Sequence, residues 1–273
     1  MGAPMTRHLQ AAGAEVIVWN RSDAAAEAAV ALGMRRAASL PELARAVGDG
    51  IVCLNLTTTD VVEQTVFGEE GMQRGLSSEA LIIDFGTTSV PATQRFAERL
   101  AWVDAPVSGG QVGAEAGNLT IMAGGSEANF QRALPVLQTV GARVSHLGAS
   151  GAGQVTKLAN QLIVAQTIDA VAQALRLAEL AGVDPAKVRE ALLGGFAESR
   201  ILQLHGDRMV RRDFAPGGRS TLQLKDVRLI CELAESLGFA SPTLANCRAQ
   251  WESFVHEKGG GELDHSGLFT VYE

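Results

Sequence analysis

Apolar residues fall into two textures along this chain. In the first half, short aliphatic and β-branched runs alternate with helix-like stretches. "EVIVWN" (15–20), "GIVCLNL" (50–56), "ALIIDFG" (80–86), "AWVDAPV" (101–107), "NLTIMAGG" (118–125) and "ARVSHLG" (142–148) each read as a buried strand: short, apolar and bounded by turn signals. "SDAAAEAAVALG" (22–33) reads as a helix with Ser22 as its N-cap and Gly33 as its stop. "PATQRFAERL" (91–100) reads as another, and one more lies between the last two strands. Continuous apolar strands alternating with helices predict an α/β domain whose parallel sheet is covered on both faces. From Gly151 the texture changes. "GQVTKLANQLIVAQTIDAVAQALRLAELAG" has no strong breaker and is apolar on most faces, which predicts a long helix buried along much of its length. Further helices are expected over 185–193, 200–211, 222–237 and 242–256, with no strand among them. The predicted organisation is an α/β domain over 1–149 and an all-α domain over 150–273. One junction is anomalous: "RFAERL" meets "AWVDAPV" without a Gly, Asn or Pro. Helix-to-strand loops usually take about 2–6 residues, so either the helix stops early or a loop is absent.

Composition narrows the function classes. The 273 residues are 47% hydrophobic and 19% charged, enough for a sizeable core and too apolar for global disorder. A net charge of −7 argues against nucleic acid or an anionic membrane as the main partner, while local donors still suit a small anion. No uninterrupted apolar stretch reaches the roughly 18–20 residues of a membrane span, and no basic segment followed by an apolar one opens the chain. Cys53, Cys231 and Cys247 are widely spaced, lack metal-ligand spacing and cannot all pair. Reduced thiols in a cytoplasmic setting are the simpler expectation.

Four stretches carry candidate chemistry. Gly2, before a helix-like run, suits the last glycine of a dinucleotide-binding turn, where a glycine lets helix and strand pack closely. Asn20-Arg21-Ser22 ends the next strand. An NAD-selective fold usually places a carboxylate there, whereas a guanidinium accommodates a 2′-phosphate. Ser108-Gly109-Gly110 follows a later strand and combines a hydroxyl with exposed backbone N–H groups, which suits a carboxylate. Lys157 and Asn160 lie three apart and share a helix face, with the lysine in an apolar setting that can tune it for general acid–base work. Each has a plainer reading too: Ser22 as a cap, Arg21 as a solvated charge, the glycines as a flexible loop, Lys157 as a snorkelling side chain.

Taken in order, Arg21, "DFGTTS", "DAPVSGG" and "GAGQVTKLANQ" resemble the β-hydroxyacid dehydrogenase family over essentially the whole chain. "LLGGFAESRIL", "RDFAPGGRSTLQLKD" and "LDHSGL" are similar to its tartronate semialdehyde reductase branch. The resemblance implies a Rossmann-type doubly wound parallel sheet followed by a helical domain for substrate binding and dimerisation. It implies Lys157 as the catalytic lysine, with Asn160 positioning the substrate beside it. Ser108, Gly109 and Gly110 would hold the substrate carboxylate. Leu56 and Thr57 match the family's cofactor-binding Leu-Pro pair, Thr87 a threonine near the nicotinamide ribose, and Lys225 a cofactor-contacting lysine.

Departures are as informative. The family opens with a strand and Gly-Leu-Gly-x-Met-Gly-x-Pro-Met, of which Met1-Gly2-Ala3-Pro4-Met5 supplies only the end. The reading therefore expects a β-branched strand and two glycines upstream of Met1, and weak dinucleotide binding by a chain that starts there. Thr57 replaces the family proline, Gly86 a usual serine, and Gly218 the branch's usual Phe, the last expected to widen the substrate pocket. Asp264-His265-Ser266 is read as structural support, because a triplet without a positioned nucleophile is weak evidence for hydrolysis. The expected activity is NADPH-dependent reduction of a small carboxylate-bearing aldehyde of the tartronate semialdehyde, succinic semialdehyde or glyoxylate type, by a homodimer or homotetramer. The alternatives are an NAD-dependent 3-hydroxyacid dehydrogenase, against which Arg21 speaks, and a non-catalytic binding module. Related imine reductases usually lack this lysine.

Overall fold

The apolar runs of the first half do form strands, shorter than the runs themselves. In the computed structural model, which describes residues Met1–Glu273, the order is α1 (Gly2–Ala11), β1 (Ile17–Val18), α2 (Asp23–Val30), β2 (Arg35–Arg36), α3 (Leu40–Val47), β3 (Ile51–Leu54), α4 (Thr59–Phe67), β4 (Leu81–Asp84), α5 (Val90–Ala97), β5 (Ala101–Asp104), β6 (Val107–Ser108), α6 (Gly110–Glu115), β7 (Leu119–Ala123), α7 (Glu127–Val140), β8 (Gly141–His146) and α8 (Ala152–Leu180). Then come α9 (Pro185–Leu192), α10 (Arg200–Arg211), α11 (Ser220–Ser236) and α12 (Pro242–Glu252). The chain forms two units, Met1–Lys157 and Leu158–Glu273, with the division inside α8.

In the first unit β3, β4 and β5 pair in parallel, and every β4 side chain is buried. β1 and β2 pair in parallel as a separate ribbon, and β6, β7 and β8 form a third sheet. Two features differ from the pattern read from sequence. "AWVDAPV" is not one strand: β5 ends at Asp104, and Val107–Ser108 pairs antiparallel with β7 instead. Pro106 intervenes and has no N–H to continue a ladder. The abrupt junction at Leu100 is resolved by a short helix: α5 stops at Ala97, and Glu98–Leu100 turn into β5 through N–H bonds from Arg99 and Leu100 to the Phe96 carbonyl. Two cores flank the central strands. One packs Leu81, Ile83 and Val103 with Ile121 and Phe130. The other packs Ile82 with Phe96, Trp102 and Met72, the Phe96 and Trp102 rings lying 5.3 Å apart.

The second unit has no strand, as its pattern predicts. α8, α10, α11 and α12 bury Ile168, Leu175, Met209, Leu224, Val227 and Trp251 in one core, joined by Phe254 of the following turn Ser253–Glu257 and closed by the 3₁₀ helix His265–Tyr272 with Leu268 and Phe269. No helix is long and apolar enough to cross a membrane. Asp264 acts as the support read from sequence. It caps that 3₁₀ helix through the Ser266 N–H (3.0 Å), accepts the Ser266 hydroxyl (2.7 Å) and pairs with Arg208 (3.2 Å).

Beside it, His205 stacks on His265 with ring centroids 6.1 Å apart, and its Nδ1 is buried without a partner. Burial lowers the His205 pKa to about 4; Asp264 opposes the shift, while His265 and Arg208 add to it. A folded pKa below the unfolded 6.5 means stability present above pH 6.5 and lost as pH falls toward 4. At about 1.4 kcal/mol per pKa unit, this is on the order of 3 to 4 kcal/mol. Urea unfolding at neutral and acid pH should therefore show a smaller acid loss in His205→Gln than in the parent. Identical losses would assign the acid sensitivity to other groups.

Candidate functional site

In the first unit the candidate residues gather where strands end at their carboxyl termini. α1 starts beside the end of β3: a Cβ on Gly2 would meet the Asn55 side chain at 3.7 Å. That is ordinary van der Waals contact. No side chain caps α1, and its first turn holds no acidic residue. Its leading N–H groups thus keep the character of an anion site. Leu56 and the exposed Thr57 follow β3 and lead into Thr58, whose hydroxyl caps α4 through the Val61 N–H (3.3 Å). The turn Gly86–Thr88 follows β4 and comes so close that a Cβ on Gly86 would lie 2.8 Å from the Leu56 carbonyl oxygen.

Asn20, Arg21 and Ser22 are all exposed at the end of β1. Ser22 sits at the N-cap of α2, but its hydroxyl does not cap the helix as the pattern suggested. Instead the Asn20 amide donates to the Ser22 carbonyl and hydroxyl oxygens at 3.1 and 3.0 Å, so the two residues fix a small turn around Arg21. Asp23, the nearest carboxylate, is engaged by Arg36.

Ser108, Gly109 and Gly110 lie at the β6–α6 turn. Gly109 and Gly110 have φ of +130° and +63°, backbone that side chains other than glycine's rarely adopt. Lys157 is buried, 8% exposed, and its Nζ donates to the Val107 carbonyl at 2.8 Å. The ammonium is thereby held at the residue next to Ser108. Three further residues, not singled out from sequence, hold this arrangement. Asp104 accepts the Gly151 and Gln154 N–H groups at 2.8 and 2.9 Å, capping the start of α8. Burial pushes its carboxyl up to about 6 against the backbone donors that lower it. A Cβ on Gly153 would lie 2.4 Å from the Met122 carbonyl, so α8 begins backbone against backbone on β7. Asp84 takes the Gly86 N–H at 2.9 Å and the Thr88 hydroxyl at 2.6 Å.

In the second unit the Asn160 amide donates to Gln161 Oε1 at 2.9 Å. Gln161 Nε2 donates to Asp226 Oδ2 at 2.6 Å and to Gln223 Oε1 at 3.1 Å, and Asp226 Oδ1 pairs with Lys225 Nζ at 2.9 Å. Asn160 and Lys225 are thus tied through two largely buried side chains. Gly218 faces the His265 ring, which a Cβ there would approach to 3.2 Å. The space that glycine opens is therefore bounded by an imidazole.

The donors present fit a dinucleotide: an uncapped helix start, a free-standing guanidinium turn and a threonine-bearing turn at the strand ends. Within the first unit, Gly2, Asn20, Arg21, Ser22, Leu56, Thr57 and Thr87 are the positions that would hold it.

Comparison with known proteins points to a nicotinamide cofactor. Residues 1–148 match the NAD-binding domain of 6-phosphogluconate dehydrogenase, and residues 151–272 match the NAD-binding domain of NADP-dependent 3-hydroxyisobutyrate dehydrogenase. The 2-hydroxy-3-oxopropionate reductase of Escherichia coli (strain K12) is 40% identical over 280 residues, covering 100% of this chain and 94% of its own length. The 2-(hydroxymethyl)glutarate dehydrogenase of Eubacterium barkeri is 31% identical, covering 100% of this chain and 92% of its own. Among solved structures, 3-hydroxyisobutyrate dehydrogenase from Salmonella typhimurium superposes with a TM-score of 0.88 at 28% identity, over 99% of this chain and 95% of that one. With both halves matched and full-length relatives above 30% identity, the chain belongs to the β-hydroxyacid dehydrogenase family, nicotinamide-dependent oxidoreductases of small hydroxyacids.

Proposed function

We propose that the protein is an NADPH-dependent reductase of small carboxylate-bearing aldehydes, of which tartronate semialdehyde is the first candidate, with succinic semialdehyde and glyoxylate behind it. The observation that carries this reading is the buried Lys157 ammonium held 2.8 Å from the Val107 carbonyl, one residue from Ser108. When bound, the nicotinamide supplies the hydride to the carbonyl carbon. The Ser108 hydroxyl and the Gly109 and Gly110 N–H groups take the substrate carboxylate. Lys157 Nζ gives its proton to the developing alkoxide, and in the opposite direction the neutral amine takes it back. Asn160, one turn along the same helix, orients the substrate. The 40% identity to the Escherichia coli 2-hydroxy-3-oxopropionate reductase supports this substrate class. Arg21, where an NAD-selective fold places a carboxylate, supports NADP. The test is NADPH consumption with the three aldehydes and with an uncharged aldehyde of similar size. Turnover confined to the carboxylate-bearing set supports the reading, and equal turnover of the uncharged one defeats it.

The three cysteines are free, which fits a reducing cytoplasm. We further propose that the helical unit pairs with a second copy as a homodimer or homotetramer. Ile163, Leu177 and Leu180 of α8 are 68–70% exposed, and a surface of this kind on a soluble enzyme marks an interface. Obligate interfaces bury more than about 2,000 Å², so light scattering at micromolar concentration should give at least twice the chain mass. A monomer would contradict the pairing.

A further inference from the structure

We propose that Gln154 is a positioning residue that holds the Thr87 turn in register with Lys157. The inference rests on the functional reading above and adds a residue to it. Gln154 is fully buried in the first turn of α8. Its side-chain amide takes both backbone groups that flank Thr87: Nε2 donates to the Gly86 carbonyl at 2.9 Å, and Oε1 accepts the Thr88 N–H at 3.0 Å. Its own N–H is fixed by Asp104 at 2.9 Å. Three residues later on the helix, Lys157 is fixed in turn by Val107. From the other side, Asp84 holds Gly86 and Thr88. The turn that bears Thr87 is therefore clamped between a strand carboxylate and a helix amide, and the helix amide belongs to the turn of α8 that carries the lysine.

The amide is matched to this task. One donor and one acceptor on a single planar group are required, in that order along the turn. Neither a carboxylate nor an apolar side chain supplies both. Losing the clamp leaves the buried Thr88 N–H without a partner, releases the part-buried Gly86 carbonyl and frees the turn to shift relative to Lys157. Misplacement by about 1 Å costs on the order of 10²-fold in rate. The effect falls on kcat, because Arg21 and the start of α1, which would provide much of the nucleotide affinity, are untouched.

The test uses two variants of the natural protein. Gln154→Leu removes donor and acceptor together and should lower kcat by roughly 10–100-fold, with a much smaller change in the NADPH dissociation constant. Gln154→Glu distinguishes positioning from bulk stability. When protonated, a carboxylic acid offers one O–H donor and one carbonyl acceptor, as the amide does. Burial favours that neutral form. Its kcat relative to the parent should therefore rise as pH falls, whereas Gln154→Leu should show no such recovery. Circular dichroism and the thermal midpoint serve as folding controls. Should Gln154→Leu fail to fold, the pH profile of Gln154→Glu decides alone. A Gln154→Leu kcat within twofold of the parent, or a Gln154→Glu profile parallel to the parent's, overturns the proposal. A parent that consumes no NADPH with any aldehyde overturns the functional reading instead.

Discussion

Lys157→Ala is expected to abolish most turnover while leaving cofactor binding nearly unchanged. General acid–base catalysis contributes typically about 10²–10⁴-fold, and the alanine removes the only proton donor assigned to the alkoxide. The lost charge-assisted bond to the Val107 carbonyl adds a stability term of about 1.5–3 kcal/mol, below the roughly 5–15 kcal/mol of a domain of ordinary stability. Lys157→Arg separates charge from proton transfer. It keeps a cation for the substrate, but a guanidinium stays protonated at all working pH values. Its kcat should remain low even where KM recovers. Near-normal kcat in the alanine variant would remove Lys157 from the mechanism.

Arg21→Ala is expected to raise the Michaelis constant for NADPH and leave that for NADH nearly alone. Arg21 is exposed in a turn braced by Asn20 and Ser22, so its loss should not disturb the fold. A hydrogen bond to a charged group is worth about 1.5–3 kcal/mol, roughly 10–150-fold in affinity. Asp23 does not substitute as a ribose ligand, because Arg36 holds it. Equal effects on both cofactors would mean that Arg21 steadies the turn and does not read the 2′-phosphate.

Local pattern made the elements and the ends of the site readable. Lys157 and Asn160 announce themselves by helical spacing, and Ser108-Gly109-Gly110 by following a strand. The groups that hold them were not readable, because each works across a long separation. Asp104 reaches Gly151, and Gln154 reaches Gly86, through contacts 47 and 68 residues apart. In sequence, Asp104 is one acidic residue at the end of an apolar run, and Gln154 one polar residue in an apolar helix. The break of "AWVDAPV" into two strands was hidden for a related reason: Val107 and Ser108 change partner to β7, a choice made by a strand twelve residues further on. The cap at Ser22 was the opposite case. A local preference was correct about position, and an equally local competitor, the Asn20 amide, took the hydroxyl.

Hydride transfer is the claim on which everything else depends, and isotope transfer reads it directly. The natural protein is incubated with tartronate semialdehyde and NADPH carrying deuterium at nicotinamide C4, on each face in turn, and the product is analysed by mass spectrometry. One face should deliver one deuterium to the new hydroxymethyl carbon of glycerate, and the other none. Unlabelled glycerate from both faces, or no labelled product from this aldehyde, succinic semialdehyde or glyoxylate, would contradict an NADPH-dependent aldehyde reductase.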